Sequence, residues 1–95
     1  MRSVLRTHFK FSFQGLIIEA KLYEVEVTKK YPLGVKYRII CIDPRSKKKI
    51  LLDNHHPKGP HMHINNEELK HEYKNEDQLL NDFEHLVFVH MGVKL

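Results

Sequence analysis

Phe9-Lys10-Phe11-Ser12-Phe13-Gln14-Gly15-Leu16-Ile17-Ile18-Glu19-Ala20-Lys21-Leu22 is the stretch from which the fold is read. Phe9, Phe11 and Phe13 alternate with Lys10 and Ser12, the period-two pattern of a strand with one apolar face and one wet face. Gln14-Gly15 then reads as a tight turn, and a second strand runs from Leu16 to Thr28. Its pattern changes phase: Leu16, Ile18, Ala20 and Leu22 share one face, whereas Tyr23, Val25 and Val27 share the other. A bulge or strong twist near Leu22 is expected to bring both sets into the core.

Outward from this hairpin, Lys29-Lys30-Tyr31-Pro32-Leu33-Gly34 breaks the pattern and reads as a loop. Val35 to Ile42 resumes as a strand. Asp43-Pro44-Arg45-Ser46 has turn composition, Lys47-Lys48-Lys49 forms a basic rim, and Ile50-Leu51-Leu52 returns to the sheet. His61 to Ile64 and Leu69 to Tyr73 read as short strands joined through Asn65-Asn66. Leu79, Leu80, Phe83, Leu86, Val87, His90 and Met91 then repeat at helical spacing, with Asn75 placed to cap the start and Gly92 to end the helix. The pattern predicts an α+β fold: an antiparallel β-meander of four to six strands with one C-terminal amphipathic helix packed on one face, in a single domain over residues 1–95.

Hydrophobic residues make up 41% and charged residues 29%, a globular composition. The formal charge of +4, with eight histidines besides, favours an acidic partner such as nucleic acid or an acidic protein. The single cysteine, Cys41, lies within an apolar strand and reads as a buried thiol, so a reducing, cytoplasmic setting is expected. No apolar run approaches the roughly 20 residues of a membrane helix, and Met1 to Lys10 lacks the apolar core of a secretion signal, so no membrane partner is expected. There is no P-loop, dinucleotide glycine motif or nucleophile elbow, which removes the usual support for those chemistries.

The chemistry concentrates in Asp53-Asn54-His55-His56-Pro57-Lys58-Gly59-Pro60-His61-Met62-His63. If His61 and His63 are extended, both imidazoles project from one face of the sheet and act on one group. Lys58 approaches from the turn, and Arg38 on a neighbouring strand offers a second cation. RNA cleavage needs a base for the 2′-hydroxyl, an acid for the leaving oxygen and a cation for the phosphate, which these residues supply, with Asp53 orienting an imidazole. Metal binding competes, because His-x-His on a strand can chelate; Asp53, His55 or His56 would have to complete the shell. No second Cys/His pair at zinc-finger spacing accompanies it, so neither a metal nor another cofactor is expected. A solvated loop whose histidines cap backbone groups is the bland alternative. His8, His71, His85 and His90 are scattered, and Tyr73 either contributes to a site or seals the sheet edge.

Asp53-Asn54, then Lys58-Gly59-x-His61-x-His63, then Tyr73 and Leu79-Leu80-Asn81-Asp82-Phe83 resemble the TumE-like toxin components of bacterial toxin-antitoxin modules. The likeness covers most of the chain from about Gly15 to Val87. It departs at His55-His56-Pro57, which replaces a small or acidic stretch, and at Pro60 and Met62, which replace polar residues. The resemblance implies a small intracellular protein silenced by a cognate helix-turn-helix antitoxin. Joined to the cation and His-x-His set, it gives the expected function: a toxin acting on RNA, as a metal-independent endoribonuclease with His61, His63, Lys58, Arg38 and Asp53 at its site. A non-catalytic module that binds nucleic acid or antitoxin, and a His-rich metal-binding domain, are the alternatives.

Overall fold

A computed structural model describes residues 3–95. Six strands follow one another in space in the order of the chain: β1 Ser3–Phe13, β2 Leu16–Val25, β3 Val35–Ile42, β4 Lys49–Asp53, β5 His61–Ile64 and β6 Glu67–Lys70. Each pairs antiparallel with the next, and α1, Glu76–Met91, lies across one face. The α+β meander expected from the alternation is therefore the fold.

The turns fix the register. Gln14 and Gly15 both have positive φ, 49° and 82°, the backbone twist that suits a two-residue hairpin, and they set Phe13 opposite Leu16. At the other end of the sheet Asn65 has φ 58°; it accepts the Lys49 amide through its side chain at 3.0 Å and donates its own amide to the Lys49 carbonyl at 2.8 Å. The β5–β6 turn is thereby tied to the start of β4.

The helix buries Leu79, Phe83 and Val87 against Leu16, Ile18, Ala20 and Leu22 of β2, Tyr37, Ile39 and Cys41 of β3, Ile50 and Leu52 of β4, and Ile64 of β5. Burying a side chain of this size stabilises the fold by about 1.5–3 kcal/mol. Asn75 caps the helix by accepting the Gln78 amide at 2.8 Å, and Gly92, in the left-handed conformation, closes it with a bond to the Phe88 carbonyl. The Thr7 hydroxyl donates to Glu76 at 2.7 Å, holding the helix start on β1.

Four details differ from the expected pattern. β1 begins at Ser3 rather than near Phe9, because pairing with β2 continues to Val25 through residues with no alternation signal, among them Val4 and Leu5, 61% and 50% exposed. The bulge lies opposite Leu22 but belongs to β1, where Arg6 is the extra residue between Leu5 and Thr7. It brings the second phase of β2 inside only in part: Val25 is buried but lies outside the cluster under the helix, β2 stops there with its amide donating to the Gly34 carbonyl, and Val27 is left 74% exposed. β6 runs Glu67–Lys70, so Tyr73 lies beyond the sheet, where it stacks on Tyr37 with ring centroids 5.2 Å apart. A network carries the intervening segment onto the helix: His71 Nε2 meets Asp82 at 2.8 Å, and Gln78 donates to the same carboxylate.

Cys41 is fully buried beneath the helix, and that burial, followed by the nearby Asp43 carboxylate, pushes its thiol up to about 11. No helix among the described residues is long and apolar enough to cross a membrane.

Candidate functional site

With the helix on one face, the other face of the sheet carries every second residue of each strand. Directly paired residues share a face, so the ladders place His8, Lys21, Arg38, Asp53, His61 and Lys70 in one row across all six strands. The adjoining row is Lys10, Glu19, Ile40, Leu51, His63 and Glu68. Lys36 and Lys49 fall on the same face, which among the described residues thus holds six strand lysines and arginines against the carboxylates of Glu19, Asp53 and Glu68. Ile40 and Leu51, 8% and 9% exposed, floor its centre.

His61 and His63 do project together. Their rings meet edge to face with centroids 5.1 Å apart. His61 is buried, with a side chain 10% exposed against 25% for His63. Its Nδ1 lies 2.7 Å from the Gly59 carbonyl. A carbonyl oxygen can only accept, so Nδ1 carries the proton and Nε2 of the neutral ring keeps its lone pair toward the open face. Gly59 itself has φ 72°, a left-handed backbone that aims this carbonyl back at the ring.

Glu68, which sequence reasoning did not single out, is the centre of the cluster. Its Oε1 lies 3.9 Å from His61 Nε2 and 3.7 Å from His63 Nε2, and it accepts a hydrogen bond from Lys58 Nζ at 2.6 Å. That bond is the main reason its carboxyl titrates below the ordinary range, with the two imidazoles adding to the effect. The signal was present in the chain: a two-residue turn at Asn65-Asn66 sets Ile64 opposite Glu67 and His63 opposite Glu68. Reading the second strand as beginning at Leu69 hid it.

Of the residues singled out from sequence, Lys58, His61 and His63 converge. Arg38 and Asp53 share the row of His61; Arg38 stands two strand spacings from it, about 9–10 Å between backbones. The Asp53 carboxylate accepts the His55 amide at 2.5 Å. His55 lies by Arg38, Lys21 and Tyr23, on the far side of Asp53 from His61. His56 turns the other way, into a cleft of about 280 Å³ formed with Tyr31, Asn54, Pro57 and Tyr73. Asn54 is structural: buried, it accepts the Tyr37 amide at 2.8 Å and donates to the Val35 carbonyl at 2.9 Å, locking the end of β4 to the start of β3.

Chemically, the arrangement offers a lone-pair nitrogen held in place, a second imidazole beside it, a carboxylate and a movable ammonium, at the border of a basic surface. Compared with known proteins, no family model, curated protein or solved structure matches this chain.

Proposed function

We propose that the uncovered sheet face binds RNA and that His61 and His63 cleave a phosphodiester held at its β5–β6 end, in a toxin component silenced by a cognate helix-turn-helix antitoxin. The observation that carries the RNA-cleaving part of this reading is the row in which the cations of Lys21 and Arg38 lead toward the imidazole pair, with Lys70 beyond His61 and the single carboxylate of Asp53 between; the toxin part rests on the resemblance of Asp53-Asn54, Lys58-Gly59-x-His61-x-His63 and Tyr73 to the TumE-like toxins. Phosphate contacts of this kind supply sequence-independent affinity.

The roles follow from the hydrogen bonds. His61, with Nδ1 held by Gly59, takes the 2′-hydroxyl proton on Nε2 as that oxygen attacks phosphorus. His63, in its imidazolium form, gives a proton to the departing 5′-oxygen. The P–O5′ bond breaks, and the products are a 2′,3′-cyclic phosphate and a 5′-hydroxyl. Both Nε2 atoms lie within 3.9 Å of the same Glu68 oxygen, near enough for both to reach oxygens of one phosphorus. The phosphate takes the place of the Glu68 carboxylate, and Lys58, released from it, becomes the cation that stabilises the added charge.

The test is incubation of the purified protein with a labelled RNA in the presence of EDTA, with ³¹P NMR to identify a cyclic phosphate. His61→Ala and His63→Ala should each abolish cleavage and the growth defect on induced expression. Intact RNA together with toxicity that survives the double variant would overturn the reading. Binding that persists without any cleavage would instead favour an RNA-binding module. A short helix-turn-helix reading frame beside the gene is expected under the toxin assignment.

A further inference from the structure

We infer that His61, His63 and Glu68 form a chelating site for a divalent d-block cation of the zinc class, which Lys58 occupies in the cation's place. The inference stands on geometry independent of RNA cleavage.

One ligand atom from each of the three residues lies within 4.8 Å of the others, with Nε2 to Oε1 separations of 3.9 and 3.7 Å. Bonds of about 2.0–2.2 Å to a tetrahedral ion set ligand atoms about 3.3–3.5 Å apart, so the two nitrogen–oxygen separations contract by about 0.2–0.6 Å and the separation of the two imidazole nitrogens by at most about 1.5 Å. His63 and Glu68 are direct cross-strand partners, so small side-chain rotations accomplish this without moving the backbone.

A second observation points the same way. Metal-binding histidines characteristically donate their other ring proton to a fixed acceptor, which sets the tautomer and aims the lone pair at the ion. The Gly59 carbonyl does this for His61 at 2.7 Å. Two imidazoles with one carboxylate suit zinc, cobalt or nickel rather than the all-oxygen shells of calcium and magnesium.

The Lys58 ammonium, 2.6 Å from Glu68 Oε1, already neutralises the carboxylate that an ion would bind. Metal and Lys58 therefore compete for the same oxygen. A bound ion leaves its fourth position open where Lys58 withdraws, and it occupies both Nε2 atoms, so it blocks acid–base use of the histidines. His55 and His56, which face elsewhere, take no part.

The experiment is titration of tag-free protein with Zn²⁺ by calorimetry, without RNA, and with Co²⁺ followed by its visible absorption. One ion per chain and a tetrahedral cobalt spectrum are expected. His63→Ala and Glu68→Gln should each weaken binding about ten-fold or more, whereas His55→Ala with His56→Ala should leave it unchanged. Lys58→Met should tighten it about two- to five-fold, the scale of releasing an exposed ion pair; a misfolded variant cannot gain affinity in this way. Binding lost in the His55/His56 variant but retained in Glu68→Gln, or weakened by Lys58→Met, would overturn the inference. RNA cleavage in EDTA is read separately, so either proposal can fail alone.

Discussion

Asn54→Ala tests whether the Asp-Asn pair preceding the histidine segment serves architecture or chemistry. The side chain is buried and makes two hydrogen bonds, from the Tyr37 amide at 2.8 Å and to the Val35 carbonyl at 2.9 Å. Truncation removes both and leaves the Tyr37 amide without its short partner. Two hydrogen bonds at about 0.5–1.5 kcal/mol each, plus the penalty for a stranded buried donor, give a loss of about 2–4 kcal/mol. The total stability of a domain this size is roughly 5–15 kcal/mol, so the loss is a large fraction. In urea unfolding, with a slope of about 1 kcal/mol/M, the midpoint should fall by about 2 M or more. Asn54→Asp sharpens the test. It keeps an acceptor for Tyr37 but sets a carboxylate oxygen against the Val35 carbonyl, where only the protonated acid can donate. The new carboxyl therefore has a raised folded pKa, and the deficit relative to the parent protein should shrink as pH falls through it. A midpoint change under about 0.5 M for Asn54→Ala, or a deficit for Asn54→Asp that is the same at pH 4 and pH 8, would refute the structural assignment.

Three further outcomes are expected. Phe83→Ala, at the centre of the helix–sheet contact, should cost about 3–5 kcal/mol by thermal or urea unfolding. Arg38→Ala and Lys21→Ala should each weaken RNA binding and reduce the slope of log K against log salt by about 1, with no change in sequence preference. The Cys41 thiol is favoured neutral in the fold, with its pKa raised from an ordinary 9.0 to about 11, so its contribution is constant below pH 9 and is lost as pH rises toward 11. Stability should fall by up to about 2–3 kcal/mol across that window from this group. Cys41→Ala should flatten the fall, and the native thiol should react with disulfide reagents only as fast as the protein opens.

Much of the fold was legible because its determinants are local. A period of two in Phe9, Phe11 and Phe13, a Gln14-Gly15 turn, and an Asn75-to-Gly92 helix with its apolar stripe each follow from short-range sterics and hydrogen bonding. Boundaries failed where pairing with a neighbour overrode the pattern. β1 extends over exposed Val4 and Leu5 because β2 offers them a ladder, and the bulge falls at Arg6 because strand register is a property of two strands.

The site divides along the same line. Alternation within one strand was enough to put His61 and His63 on a common face, since successive side chains of a strand point oppositely whatever lies beside it. Glu68, and the row joining Lys21 and Arg38 to His61, were decided only by the tertiary structure, because those residues lie on different strands and meet through ladder register. Tertiary structure likewise divided the four clustered histidines: the Gly59 carbonyl holds His61 beside His63, while His55 and His56 point toward Arg38 and the Tyr31–Tyr73 cleft. Proximity along the chain is a single coordinate; convergence of side chains is set by which backbone atoms pair, and that is fixed only when the whole sheet has formed.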